Sequence, residues 1–134
     1  MGRRLARDLI FQYIFEADIN RENLKEDSNF YVEREESKDL RKDQHEYLLK
    51  TMSGIKENLV EIDKIIIDNM EHWNIERLGI VERSLLRYSV YELIYTDIGK
   101  EIIVNEAIEL AKLYGEEKSS EFVNGVLAKI IKTF

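Results

Sequence analysis

Cysteine and proline are both absent from this chain, and tryptophan occurs once. Without cysteine there is no disulfide, no thiol nucleophile and no thiolate metal site, which fits a reducing compartment. Without proline, no helix is broken by a missing amide donor. The six glycines form no phosphate-cradling loop, and neither a glycine-lysine-serine motif nor a nucleophile elbow occurs. No apolar run approaches the roughly 18 to 20 residues that span a bilayer. The arginines near the start are followed by neither a continuous apolar region nor a small-residue cleavage site, so the segment does not read as a signal peptide. A soluble, cytoplasmic protein is expected. Positive charge is in deficit, with 20 Lys and Arg against 27 Asp and Glu and a net charge of -7. This argues against wholesale electrostatic attraction to nucleic acid and leaves room for a local basic patch.

What is present is helical periodicity. A chain of 134 residues suits one domain with one core, spanning 1–134, since domains commonly run about 100 to 150 residues. From Arg3 to Ala17, Leu5, Ala6, Leu9, Ile10, Tyr13, Ile14 and Ala17 share one side of a helix. Arg4, Arg7, Phe11 and Phe15 share another, with Arg3 at its margin. Asp18 to Lys42 is polar and reads as a long, partly mobile loop with one short helix, anchored by Phe30, Tyr31, Val32 and Leu40. Asp43-Gln44-His45-Glu46 has the spacing of a capping box ahead of an apolar helical stripe. Asn58-Leu59-Val60-Glu61 repeats it and predicts a new helix or a bend, in a segment closed by Trp73 and Asn74. A further helix follows Gly79 and runs through Tyr95.

The last third reads as two packed helices around a Gly115 to Ser120 turn. Ile103, Val104, Ala107, Ile108, Leu110 and Ala111 face the core from the first, and Phe122, Val123, Val126, Leu127, Ile130 and Ile131 from the second. Asn105 and Asn124 border these faces and are expected to be buried structural amides. No stretch alternates as a strand does. The expected fold is all-α, a compact bundle of about six or seven helices.

Catalysis finds little support. His45 and His72 stand far apart, and neither has a second ligand-type residue at metal-binding spacing. Neither a metal nor another cofactor is expected, and Glu106 and Glu109, one turn apart, read as solvated or ion-paired. The informative constellation is the first helix. Arginine offers fixed charge, paired donors for phosphate and a plane that stacks on bases, so Arg3, Arg4 and Arg7 can follow a phosphate backbone while Phe11 or Tyr13 stacks. Against this stands pairing of the arginines with nearby acids. Near the other end Lys118, Phe122 and Lys129 share one edge of the last helix, with Gly125 leaving it flat for the approach of another backbone. Two such edges can serve single-stranded RNA if the first and last helices lie together.

These residues resemble the NusB family of transcription antitermination factors. The likeness rests on four blocks: Arg3-Arg4-Leu5-Ala6-Arg7 with Gln12 and Tyr13; Leu78-Gly79-Ile80-Val81-Glu82-Arg83 with Leu86-Arg87 and Tyr91-Glu92-Leu93; Asn105-Glu106-Ala107-Ile108-Glu109-Leu110-Ala111-Lys112; and Phe122-Val123-Asn124-Gly125-Val126-Leu127. The resemblance implies an all-helical, non-enzymatic protein of two packed helical subdomains. Such proteins bind the boxA element of nascent RNA with NusE, a ribosomal protein of the small subunit. The pair joins other Nus factors on RNA polymerase and suppresses premature termination, notably in ribosomal RNA operons.

Carried over, Arg3, Arg4 and Arg7 are RNA contacts, Val81 and Glu82 meet NusE, and Lys118 and Phe122 mark the edge where RNA continues. In some relatives a homodimer buries the RNA-binding face, so monomer and homodimer both stay open. Fewer basic residues precede the first helix than in some relatives, Gly99 stands where proline is common, and Lys118 occupies a position that can be acidic. The same helical domain also occurs fused to an RNA cytosine methyltransferase, which this chain is expected to lack. The reading from another class is a purely protein-binding adaptor whose arginines pair internally.

Overall fold

The computed structural model describes residues 3–70 and 75–133. Among them are six α-helices: α1 (Arg4–Ile19), α2 (Asn29–Val32), α3 (Lys42–Asp68), α4 (Ile80–Tyr95), α5 (Lys100–Tyr114) and α6 (Ser119–Ile131), with 3-10 turns at Glu35–Ser37 and Ile75–Arg77. No strand occurs among the described residues, so the all-α expectation holds. His72, Trp73 and Asn74 lie outside them.

The chain divides into two compact units, residues 1–57 and 58–134. The division falls where the second cap pattern predicts a bend: Asn58 has φ -110 and ψ 16, a break in helical geometry inside α3. The first cap pattern is shifted. The helix begins at Lys42, and Gln44 rather than Glu46 reaches back, its Oε1 accepting from the Arg41 amide at 3.4 Å. Gln44 is buried, so this cap lies within the fold.

In the first unit Ala6, Leu9, Ile10, Tyr13 and Ile14 of α1 are buried as the periodicity predicts, whereas Leu5 is exposed. Phe11 is also core, 1% exposed, so α1 is apolar over a wider arc than the wheel suggests. The expected loop after α1 is built rather than loose. Leu24, Tyr31 and Leu40 are buried, while Phe30 is exposed. Ser37 is fully buried, donating to the Tyr31 carbonyl at 2.7 Å and sharing a 2.6 Å bond with the Tyr13 hydroxyl. His45 meets the Ser37 carbonyl at 2.7 Å. Arg34 lies over the Tyr13 ring and clamps Glu16 through both carboxylate oxygens, the Nη2 to Oε2 arm at 3.2 Å. That bond holds the Glu16 carboxyl below its ordinary range and raises the Arg34 guanidinium. Burial pushes the Tyr13 and Tyr31 phenols up. The charge pattern hid these contacts because each needs a partner distant in sequence.

In the second unit α4, α5 and α6 pack on one another. Leu85, Leu86, Tyr88, Val90 and Tyr91 of α4 are buried, together with Ser84, Ser89 and Glu92, so this helix is covered on several sides. Arg87 ties it to the later part of α3 through paired bonds to Asp63, 2.8 and 2.9 Å. Ile103, Ala107, Leu110 and Ala111 of α5 and Val123, Val126, Leu127 and Ile130 of α6 complete the core. Asn105 and Asn124 are exposed, which corrects the expectation of buried amides. At 100° per residue both fall one step beyond the buried arc and into solvent.

Candidate functional site

The arginine-rich start of α1 is organised by a residue that sequence periodicity treats as ordinary core. The guanidinium carbon of Arg3 lies 4.5 Å from the centroid of the Tyr47 ring on α3, and that of Arg7 lies 5.7 Å from the same centroid. Two cations one helical turn apart therefore share one half-buried aromatic ring. Such contacts contribute about 0.5 to 2 kcal/mol each, depending on desolvation. Arg3 and Arg4 are exposed, whereas Arg7 is only 5% exposed. The three arginines are thus unequal: two face solvent, and the third is packed beneath them. Tyr47 is the residue that sequence reasoning missed. Its helical spacing marked it as apolar, and nothing local signals a cation from another helix.

Neither of the rings proposed for base stacking is available. Tyr13 is 2% exposed, its ring tilted against that of Tyr31 at 5.4 Å between centroids and its hydroxyl on Ser37, and Phe11 is covered beside Phe15. Both belong to the core of the first unit, which corrects that expectation. The wheel put Phe11 beside Arg4 because it measures angle and not depth.

In the second unit, residues far apart in sequence converge on one open cleft of about 480 Å³. The start of α4 supplies Leu78, Gly79 and Glu82, and the α5–α6 turn with the start of α6 supplies Glu116, Lys118, Ser119 and Phe122. Arg77 and Glu117 add charge of both signs to the lining. Glu82, assigned by resemblance to the protein partner, thus shares a cleft with Lys118 and Phe122, assigned to RNA. Val81 is half-buried in the first turn of α4 and does not line the cleft.

A polar bond joins the two walls. The buried Ser119 hydroxyl donates to Oε2 of Glu82 and accepts the Glu116 amide at 2.9 Å. Glu82 also stands three residues past the Gly79 N-cap, where a carboxylate favours the helix start. Across the lining Glu82, Glu116 and Glu117 stand against Arg77 and Lys118, and on the α6 edge Lys118 is exposed and Phe122 half-buried. Farther along that edge Gly125 is exposed, and a methyl group added there would meet nothing within 4 Å. Among the described residues no group of three or more His, Asp or Glu is placed to hold a metal ion, and no helix is long and apolar enough to cross a membrane.

Comparison with known proteins supplies the frame for this geometry. The NusB family model matches residues 4–132. The chain belongs to the NusB family. Among NusB relatives, transcription antitermination protein NusB of Fusobacterium nucleatum subsp. nucleatum is 42% identical over 137 residues, spanning 98% of this chain and 90% of that protein. NusB of Clostridium botulinum (strain Loch Maree / Type A3) is 42% identical over 141 residues, spanning 98% of this chain and 100% of the relative. The fold agrees with that of NusB from T. maritima at a TM-score of 0.87 and 38% identity, over 98% of this chain and 92% of the other. It also agrees with a chain in a crystal structure of the antitermination factors NusB and NusE in complex with dsRNA, at 0.86 and 36% identity, over 99% and 98%.

Proposed function

We propose that this protein is a non-enzymatic, cytoplasmic transcription antitermination factor that binds boxA RNA together with NusE and joins the other Nus factors on RNA polymerase, supporting ribosomal RNA transcription. One observation carries the reading: Glu82, Lys118 and Phe122 line one cleft, in a chain whose fold matches a NusB solved with NusE and dsRNA. A partner seated on Glu82 and Val81 would border an RNA strand on Lys118 and Phe122, so each would add contacts for the other. Arg3 and Arg4, both exposed, supply phosphate contacts from the first unit. Arg7 acts from below, holding Tyr47 and adding positive field. A protein of net charge -7 gains from a partner that contributes its own cations.

The test is a titration of labelled boxA RNA with this protein alone and with NusE present, at two salt concentrations. Tighter, salt-sensitive binding with NusE that is lost on a scrambled RNA is the expected result. The packing of Arg3 and Arg7 against Tyr47 favours one competing reading, the protein-binding adaptor whose arginines are structural. NusE binding without any RNA binding would establish that reading in its place.

A further inference from the structure

Three features of the second unit converge on one carboxylate. Oε2 of Glu82 accepts the Ser119 hydroxyl, and Oε1 stands where a β-carbon on Gly79 would have to go. On the far side of the bond, a β-carbon on Gly115 would meet Cβ and Oγ of Ser119 at 2.6 Å and the Ala111 carbonyl at 2.8 Å. Two glycines from different turns thus leave the space that the Glu82–Ser119 pair occupies. Gly79 has φ -61 and ψ 151, a conformation open to any residue, so its small size serves clearance and not backbone geometry.

We propose that Ser119 is a positioning residue for protein-partner recognition: it fixes the Glu82 carboxylate at the cleft, where that carboxylate accepts a cationic side chain of the partner. This rests on the reading that Glu82 meets NusE. A carboxylate only accepts hydrogen bonds, so the group it meets must be a donor, and with three carboxylates in the lining against the two cations Arg77 and Lys118 the balance favours one that carries positive charge. A glutamate free to rotate would lose side-chain entropy on binding, which Ser119 has already removed in the unbound protein. Because Ser119 opens α6, the bond also ties the partner-facing wall to the helix that carries Phe122.

The pair can be broken from either side. Ser119→Ala removes the donor. Gly79→Ala displaces the carboxylate while leaving Ser119 and its bond to Glu116 in place, and the atom it strikes is the mobile end of a side chain. Calorimetric titration of each variant with purified NusE, alongside Glu82→Ala and the Glu82→Ala, Ser119→Ala double variant, reads the effect. Circular dichroism confirms the fold in each case. Gly79→Ala and Ser119→Ala are each expected to weaken NusE about fivefold to tenfold, the scale of one ordered polar contact. Adding Ser119→Ala to Glu82→Ala should change nothing more.

Wild-type affinity in Gly79→Ala, with Glu82→Ala still weakened, would overturn the positioning role and leave Ser119 a helix-start residue. Additive losses in the double variant would overturn it as well. Wild-type affinity in Glu82→Ala would instead remove the partner assignment on which the proposal rests.

Discussion

Reversing the charge at Arg7 buries a carboxylate beside Tyr47, because that position is 5% exposed. An uncompensated buried charge destabilises by about 3 kcal/mol or more, so Arg7→Glu is expected to lower the melting temperature along with any RNA affinity. The informative variant is Arg3→Glu with Arg4→Glu, at the two exposed positions. We expect it to retain helix content by circular dichroism, to weaken boxA RNA binding at least about tenfold, and to flatten the plot of log K against log salt by about 1.4, at roughly 0.7 per lost contact with single-stranded RNA. An unchanged slope in fluorescence titrations would remove these arginines from the RNA path. A second prediction concerns Glu16, whose folded carboxyl sits below its ordinary range because Arg34 is bonded to it. A depressed carboxyl stabilises the fold above its unfolded pKa, and that stabilisation is lost as pH falls through the folded value. Glu16 is 46% exposed, so the contribution is only about 0.5 kcal/mol. Thermal melts from neutral pH downward should therefore show Glu16→Gln slightly less stable at pH 7 and level with the parent once both are strongly acidic.

At the scale of an element, α6 carries an exposed glycine in its interior that the fold does not require. Glycine there is less favourable than alanine by about 0.5 to 1 kcal/mol, and the added methyl would touch nothing within 4 Å. Gly125→Ala should therefore raise the melting temperature by about 2 °C to 3 °C in a scanning calorimeter. No rise would mean that α6 is held by something other than its own propensity. The long α3 shows what single-sequence signals can locate. Its bend at Asn58 was legible because a cap pattern interrupts an apolar stripe there. Its start was misplaced because two acceptors compete as caps, and Gln44 prevails through the burial that tertiary packing provides.

For the whole molecule, the stability of the second unit depends on an ion pair between elements. Arg87 and Asp63 are bonded at two points and largely shielded, so Arg87→Ala leaves a carboxylate without its main partner. A loss of about 2 to 3 kcal/mol in urea unfolding is expected, and a loss below about 0.5 kcal/mol would mean that water replaces the pair readily. The overall charge of -7 sets a further expectation. With three or four phosphate contacts, this protein alone should show a salt slope of only about -2 to -3.

The order of residues was enough to establish an all-α chain, the extents of α1, α4, α5 and α6 to within a few positions, and membership of the NusB family. Helical periodicity and short motifs are local, and each was readable without knowing what lies opposite. Depth and convergence were not. Arg7 and Phe11 share a wheel position with solvent-facing arginines yet are buried, and Asn105 and Asn124 border buried arcs yet are exposed. Tyr47 became part of the basic site, and Glu82 met Ser119, only because packing brought together side chains 37 or more positions apart. Burial is a property of what covers a face, and a bond between helices depends on both partners' positions in space, so tertiary structure alone decided them.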